Sequence, residues 1–398
     1  MGNSPLLLTF NAGSSSIKVG LFSVVNGQAT QVGKGVIDLR VQPLRLRVSD
    51  HGQSQDITLN AKLTEDLHEV LDETLGWLAS HFKLDDLMSV GHRVVHGGDR
   101  FDGPVAIDDD TLAAITELVP LAPLHQPQGV RLIQAIRHLR PGLLQTASFD
   151  TAFHRSQSDL VRRFAIPRAL FDRGVKRYGF HGLSYQYVAG ELARRFPALK
   201  GGKVVVAHLG SGASLCALQD GVSQDTSMGF STLDGIPMAT RCGALDPGVV
   251  LHLMGPLGLS VDEVEDLLYH QSGLLGVSGL SADARELQAS DRPEAREALD
   301  LFAGRIAGEV ARLATTLGGL DALVFTAGIG EHQPPVRAAV GERLAWLGVQ
   351  LDPQANAAHA SVISAPGSGV TVLVLPTDEE QVIANDTVGI HHQQAWRP

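Results

Sequence analysis

One pattern constrains this chain more than any other, because it occurs twice. An apolar run leads into a Gly/Ser-rich turn, a second apolar run and a tight-turn dipeptide. The first copy is Leu6-Leu-Leu-Thr-Phe-Asn-Ala-Gly-Ser-Ser-Ser-Ile-Lys-Val-Gly-Leu-Phe22, followed by Asn26-Gly27. The second is Val204-Val-Val-Ala-His-Leu-Gly-Ser-Gly-Ala-Ser-Leu-Cys-Ala-Leu218, followed by Asp220-Gly221. Each reads as strand, turn, strand and hairpin signal. The repetition predicts two related domains facing each other, with chance likeness of two Gly/Ser hairpins as the competing reading.

Further apolar runs, Leu323–Thr326 before Ala327-Gly328-Ile329-Gly330 and Val370–Leu375 before Pro376-Thr377, suit strands at the centre of a covered sheet. Helical patterns alternate with them. Leu63, Leu67, Val70, Leu71, Leu75 and Leu78 recur at helical spacing, and Ser260-Val-Asp-Glu263 is a capping box. Pro293 opens a stretch to Thr316 with Leu299, Ile306, Val310 and Leu313 on one side. Strands alternating with helices predict an α/β architecture.

The 398 residues suffice for two to three domains at about 150 residues each. With 44% hydrophobic and 19% charged residues, a large core forms readily and disorder is not expected. A net charge of −11 argues against nucleic-acid and anionic-membrane binding. No apolar run approaches the ~18 residues of a membrane span. Met1 to Leu8 lacks the basic region of a signal peptide. The two cysteines, Cys216 and Cys242, exclude a disulfide framework and a cysteine metal cluster. A soluble, cytoplasmic, multi-domain protein is expected.

Several stretches carry candidate chemistry. The Gly/Ser turns gather backbone N–H groups that suit an anion, and Lys18 can reach a phosphate as a point charge. No Walker A loop is present, and Gly328-Ile-Gly330 lacks the third glycine of a dinucleotide fingerprint. In Gly91-His92-Arg93-Val94-Val95-His96-Gly97-Gly98, His92 and His96 have zinc-ligand spacing on a helix, but the valines and glycines oppose a helix. Arg93 suits an oxyanion at a pocket floor, or else a structural salt bridge. Asp150, after Ser148-Phe149, is a candidate metal ligand or polarising group, or a turn residue. His181, between aromatics and glycines, reads either as ligand-facing or as a core histidine with Ser184 capping the next helix. Arg241 stands in a loop beside Cys242, which reads as structural. Thr377-Asp378-Glu379-Glu380 is a capping box, or a carboxylate available to Mg²⁺.

Taken together, these segments resemble the acetate kinase family, within the superfamily of acetate and sugar kinases, actin and heat-shock chaperones. The matching blocks run in order through almost the whole chain: Asn11–Lys18, Gly91–Gly98, Leu121–His125, Phe149–His154, Tyr178–Ser184, His208–Gly212, Asp225–Phe230, Thr240–Pro247, Phe325–Glu331 and Thr377–Glu380. The resemblance implies a two-domain actin-like ATPase fold with a duplicated core, mixed sheets flanked by helices and a cleft between domains. The implied boundaries are 1–151 plus 386–398 for the acyl and phosphate side, and 152–385 for the nucleotide side. The implied reaction is Mg²⁺-dependent phosphoryl transfer from ATP to acetate, with Mn²⁺ as a substitute ion. ATP/ADP and acetate/acetyl phosphate are the implied ligands and a homodimer the implied assembly.

Residue by residue, the resemblance makes Arg93 and Arg241 clamps on acetate and the transferred phosphoryl group, Asp150 the essential acidic residue and His181 a transition-state stabiliser. It gives Asn11 and Glu379 to the metal, Lys18 to the nucleotide and His125 to the substrate site. Val95, Leu124, Phe180 and Thr232 match the small apolar pocket for the methyl group. His208, Leu209, Gly210, Ser211 and Gly212 match one nucleotide-binding loop, Asp283, Ala284 and Arg285 a second, and Gly328, Ile329, Gly330, Glu331 and His332 a third. Ser211, Ala284, His332 and Thr232 depart from the family's usual Asn, aromatic, Asn and Pro. These departures bear on nucleotide and acyl preference. Propionate kinase is the near alternative; a nucleotide-gated binding protein on an actin-like core, and a metal hydrolase built on His92 and His96, are the rivals of other classes.

Overall fold

The computed structural model describes residues 4–13, 16–39, 41–50, 53–61, 67–82 and 86–395. The chain divides into two compact units, Met1–Phe153 with Asp378–Pro398, and His154–Thr377.

The first unit is built on an eight-stranded sheet. Its strands are β1 (Leu6–Ala12), β2 (Ser16–Val25), β3 (Gln28–Asp38), β4 (Arg45–Asp50), β5 (Gln53–Thr58), β6 (Leu87–Val94), β7 (Val105–Ala106) and β8 (Leu144–Phe149), in the spatial order β5-β4-β3-β2-β1-β6-β8-β7. β1, β2 and β3 run antiparallel through the two predicted hairpins, and the register places Lys18 opposite Asn11. β1, β6 and β8 run parallel. Both faces are covered. Leu8 and Phe10 pack with Val70, Leu71 and Leu75 of the helix His68–His81, and with Leu132 and Ile136 of the helix Gln126–Leu139. Leu7 packs on the opposite face with Ala384 and Val388 of the helix Glu379–Ala395. Neighbouring residues of a strand point to opposite faces, so two covered faces require an unbroken apolar run.

The second unit repeats this plan on five strands: β9 (Lys203–Leu209), β10 (Ala213–Gln219), β11 (Val222–Thr226), β12 (Ala322–Thr326) and β13 (Thr371–Val374), in the order β11-β10-β9-β12-β13. β9 to β11 are antiparallel, and β9, β12 and β13 parallel. The order β3-β2-β1-β6-β8 in the first unit is the same arrangement. The duplicated hairpin in the sequence is therefore the antiparallel edge of a duplicated mixed sheet. The helix Pro293–Leu317 covers β9 and β10 with Phe302, Ile306, Val310 and Leu313 buried, and ends at Gly318 with φ of 67°. The Ser260/Glu263 capping box forms on the helix Val261–His270 as expected.

Some expectations need correction. Leu67 is a left-handed N-cap and not part of the helical stripe, and Leu63, with Ser14 and Ser15 of the first turn, lies outside the described residues. The helix Glu379–Ala395 is capped by Asp378, whose Oδ1 accepts the Gln381 N–H at 2.9 Å, while the Thr377 hydroxyl is buried without a partner. That helix belongs whole to the first unit, so the chain returns at Asp378 and not at 386. Gly328–His332 is not an open loop but the helix Ala327–His332. No helix among the described residues is long and apolar enough to cross a membrane.

Candidate functional site

In the first unit the parallel strands β1, β6 and β8 end side by side, the position at which open α/β sheets present ligand-binding groups. Asn11, Arg93 and Asp150 stand at those ends, and Glu379 and Glu380 begin the helix behind them. Arg93 grips Asp150 with two arms: Nη2 donates to Oδ2 at 2.6 Å and Nε to Oδ1 at 3.1 Å. Its Nη1 donates to Asn11 Oδ1 at 3.0 Å. The Asn11 amide then donates to Glu379 Oε2 and Glu380 Oε1, both at 2.8 Å. Asp150 is 1% exposed, and Asn11 and Glu379 are buried. Burial pulls the Arg93 guanidinium down, but the charges of Asp150, Glu379 and Glu380 outweigh it and hold it above its ordinary value. Asp150 stands in the turn that follows β8, with its carboxylate committed to Arg93. Lys18 lies 3.8 Å from Glu380 and is about half exposed. Nearby in sequence, Val95 is buried, His125 is the N-cap of the helix Gln126–Leu139, and Leu124 is exposed.

In the second unit His181 adopts a left-handed conformation, φ 57°, as the N-cap of the helix Gly182–Arg195. The preceding Gly179 has φ of 82°, and a Cβ there would fall 2.6 Å from the His154 ring. Only glycine therefore lets the chain turn and present His181. His181 Nδ1 meets Ser214 Oγ at 2.8 Å, and its ring stacks on His208 at 4.3 Å between centroids. Ser184 bonds His208 Nδ1 at 2.8 Å and does not cap the helix, correcting that expectation. A Cβ on Gly212 would lie 3.3 Å from His181 Nε2 and 3.7 Å from Arg241 Nη1, so both polar groups flank one glycine of the β9–β10 turn. Arg241 Nη1 donates to the Thr232 carbonyl at 3.2 Å. The Arg241 loop is tied down by Ala239 N–H to Ser211 O and by Ser272 and Leu274 N–H to Thr240 O and Met238 O. Phe180 and Thr232 are buried.

The remaining matched segments are also in this unit. His208 and Leu209 end β9, and Gly210, Ser211 and Gly212 form the turn, closed by Gly210 N–H to Gly212 O at 3.1 Å. Asp283 caps the short helix Ala284–Gln288, in which Ala284 is buried, and ion-pairs with the exposed Arg285. Gly328, Ile329, Gly330, Glu331 and His332 follow β12 as a helical turn.

Two features escaped the sequence. Arg337 is fully buried and donates from Nη1 to the carbonyls of Gly330 and Glu331 at 2.8 and 2.9 Å, and from Nε to Asn356 Oδ1 at 2.7 Å. Burial pulls its guanidinium down to about 10. An arginine between the buried Val336 and Val340 of one helix was the available signal. Ser214 and Tyr185, behind His181, carried none.

His92 does not serve as a metal ligand here. It lies on β6 with Nε2 against Gln145 Oε1 at 2.8 Å and its ring on Phe10, and both His92 and His96 are buried and pushed down to about 4, chiefly by burial. Among the described residues no group of three or more His, Cys, Asp or Glu is arranged to hold a metal by itself. Cys216 is buried and Cys242 half-buried, its thiol directed at the Gly243 carbonyl.

The model of the acetokinase family matches residues 6–385. An acetate kinase of Methylocella silvestris is 46% identical over 98% of this chain and 99% of its own length. One of Rhodopseudomonas palustris (strain TIE-1) is 49% identical over 96% of this chain and 97% of its own. Among solved structures, a propionate kinase from Francisella tularensis subsp. tularensis SCHU S4 is similar with a TM-score of 0.90 at 35% identity, covering 96% of this chain and 98% of that one.

Proposed function

The chain belongs to the acetokinase family, and from that premise we propose that it transfers a phosphoryl group reversibly between ATP and acetate, giving acetyl phosphate and ADP. One observation carries the reading at the level of residues. Arg93 is held by a buried carboxylate and a buried amide at the ends of three parallel strands, which is how a protein fixes a guanidinium for an incoming anion. Acetate, with a pKa of roughly 4 to 5 like a side-chain carboxyl, is already ionised at neutral pH and needs no strong base. The obstacle is repulsion between a carboxylate and a phosphate, so catalysis is positioning and charge neutralisation.

In this reading Arg93 receives the acetate carboxylate, and Asp150 fixes the direction of Arg93 and takes no proton. Arg241 and His181 stabilise the transferred phosphoryl group, and Lys18 meets the nucleotide's phosphates. Val95, Leu124, Phe180 and Thr232 set acyl length, and His125 serves the acyl substrate. The loops at His208–Gly212, Asp283–Arg285 and Gly328–His332 take the nucleotide. Asn11 and Glu379 are the residues that would hold Mg²⁺ or Mn²⁺. Their donors are oxygens, and a magnesium ion carried by phosphates needs only one or two carboxylates from protein. When bound, the ion supplies further neutralisation of phosphate charge.

The same reading includes a homodimer. From Leu245 to Val261 the chain is almost uncharged, the helix Pro247–Met254 buries no residue, and Leu251 is 71% exposed. An apolar stretch of this length in water favours a protein partner. ATP as co-substrate supports a cytoplasmic location.

A second reading, propionate as acceptor, is favoured by Thr232 in place of the family's usual proline in the methyl pocket and by the Francisella relative. One methylene in such a pocket is worth only about 1–3 kcal/mol. The test is acyl-hydroxamate formation from ATP, Mg²⁺ and hydroxylamine with acetate, propionate or butyrate. The highest kcat/KM is expected with acetate; no hydroxamate from any acid would leave a binding protein in place of an enzyme.

A further inference from the structure

His181 Nδ1 and Tyr185 Oη meet at one atom, the Ser214 hydroxyl oxygen. Tyr185 is fully buried, and burial holds its phenol well above its ordinary value, so the phenol keeps its proton. Ser214 is also fully buried. A phenol is a stronger acid than an alkyl hydroxyl, so Tyr185 is the donor and Ser214 Oγ the acceptor of the pair. The serine's own single proton is then directed to its other neighbour, His181 Nδ1.

We propose that Tyr185 and Ser214 are positioning residues that hold His181 as an uncharged imidazole with its proton on Nε2, the nitrogen beside Gly212. A histidine tautomer is set by the hydrogen bond its other nitrogen makes. Two further observations agree with the uncharged form. The ring stacks face to face on His208 at 19° between planes, where a charge on both rings is costly. It also stands at the N-terminus of a 14-residue helix, whose dipole disfavours a cation. His181 therefore offers a hydrogen-bond donor at Nε2, and Arg241, which flanks the same glycine, supplies the positive charge. The tautomer rests on geometry alone; its use, donation to an oxygen of the transferred phosphoryl group, rests on the reading above.

The test is ¹⁵N NMR of the full-length protein labelled in histidine, with the His181 signals identified by their loss in His181→Gln. A protonated Nε2 and an unprotonated Nδ1 are expected in the wild-type protein. In Ser214→Ala the ring should become a mixture of tautomers, with kcat down about tenfold, the scale of one orienting hydrogen bond, and the KM for ATP within twofold. Ser214→Thr, which keeps the hydroxyl, should restore both. A proton on Nδ1 in the wild-type protein, or an unchanged tautomer in Ser214→Ala, overturns the proposal. The wild-type spectrum decides even if the variants fail to fold. A protein with the expected tautomer but no kinase activity would instead overturn the functional reading alone.

Discussion

At the scale of single residues, the burial of charge separates working groups from packing. Arg93 keeps a raised pKa because three carboxylates surround it, whereas His92, His96 and His154 are neutral packing residues pushed down to about 4. That gives a prediction with a definite sign. A histidine at about 4 when folded and about 6.5 when unfolded binds its proton only in the unfolded state between those values. Stability should therefore be level above pH 6.5 and fall as pH drops from 6.5 to 4, by up to roughly 3 kcal/mol for each histidine. Urea unfolding at pH 7.5 and pH 5 measures it, and His92→Gln should lower the slope by about one proton. An equal slope in that variant would assign the acid loss to other groups. Arg93 and His181 stood out as candidates in the sequence through their types and neighbouring glycines, and Asp150 only through the resemblance of its block to the family. Their partners did not, since nothing local in Ser214 or Asn356 announces a bond to a residue far along the chain.

At the scale of elements, strands proved easier to read than the turns between them. Continuous apolar runs betray covered strands such as β9 and β12. The segment Ala327–His332 misleads because its two glycines suggest an open loop, yet it folds as a helical turn on carbonyls held by Arg337. Tertiary context overrides weak local propensity there. Likewise Asp378 outcompetes Thr377 as the cap, one residue from the expected place. Arg337→Ala removes a buried side chain and leaves the Gly330, Glu331 and Asn356 oxygens without their donor. A loss of about 3 kcal/mol in stability is expected, with a raised KM for ATP and an unchanged KM for acetate. Equal rises in both KM values would show that Arg337 supports the unit in general and not the nucleotide segment.

At the scale of the whole molecule, the duplicated hairpin was the most informative feature of the sequence, because a repeated local pattern survives in the fold as a repeated sheet order. What the sequence hid at this scale is the exposed helix Pro247–Met254: apolar residues read as core until burial shows otherwise. The proposed homodimer predicts that the wild-type protein sediments as a dimer and Leu251→Glu as a monomer, with circular dichroism unchanged; a variant that stays dimeric would place the interface elsewhere.

The proposed function requires that Arg93 and Arg241 each offset part of the repulsion between two anions. Rates of acetyl phosphate formation from ATP and acetate in the wild-type protein and in Arg93→Ala test it most directly. A fall in kcat/KM for acetate of about a hundredfold or more is expected, the scale of losing one preorganised transition-state donor, with the KM for ATP little changed. Turnover by Arg93→Ala close to that of the wild-type protein would contradict it.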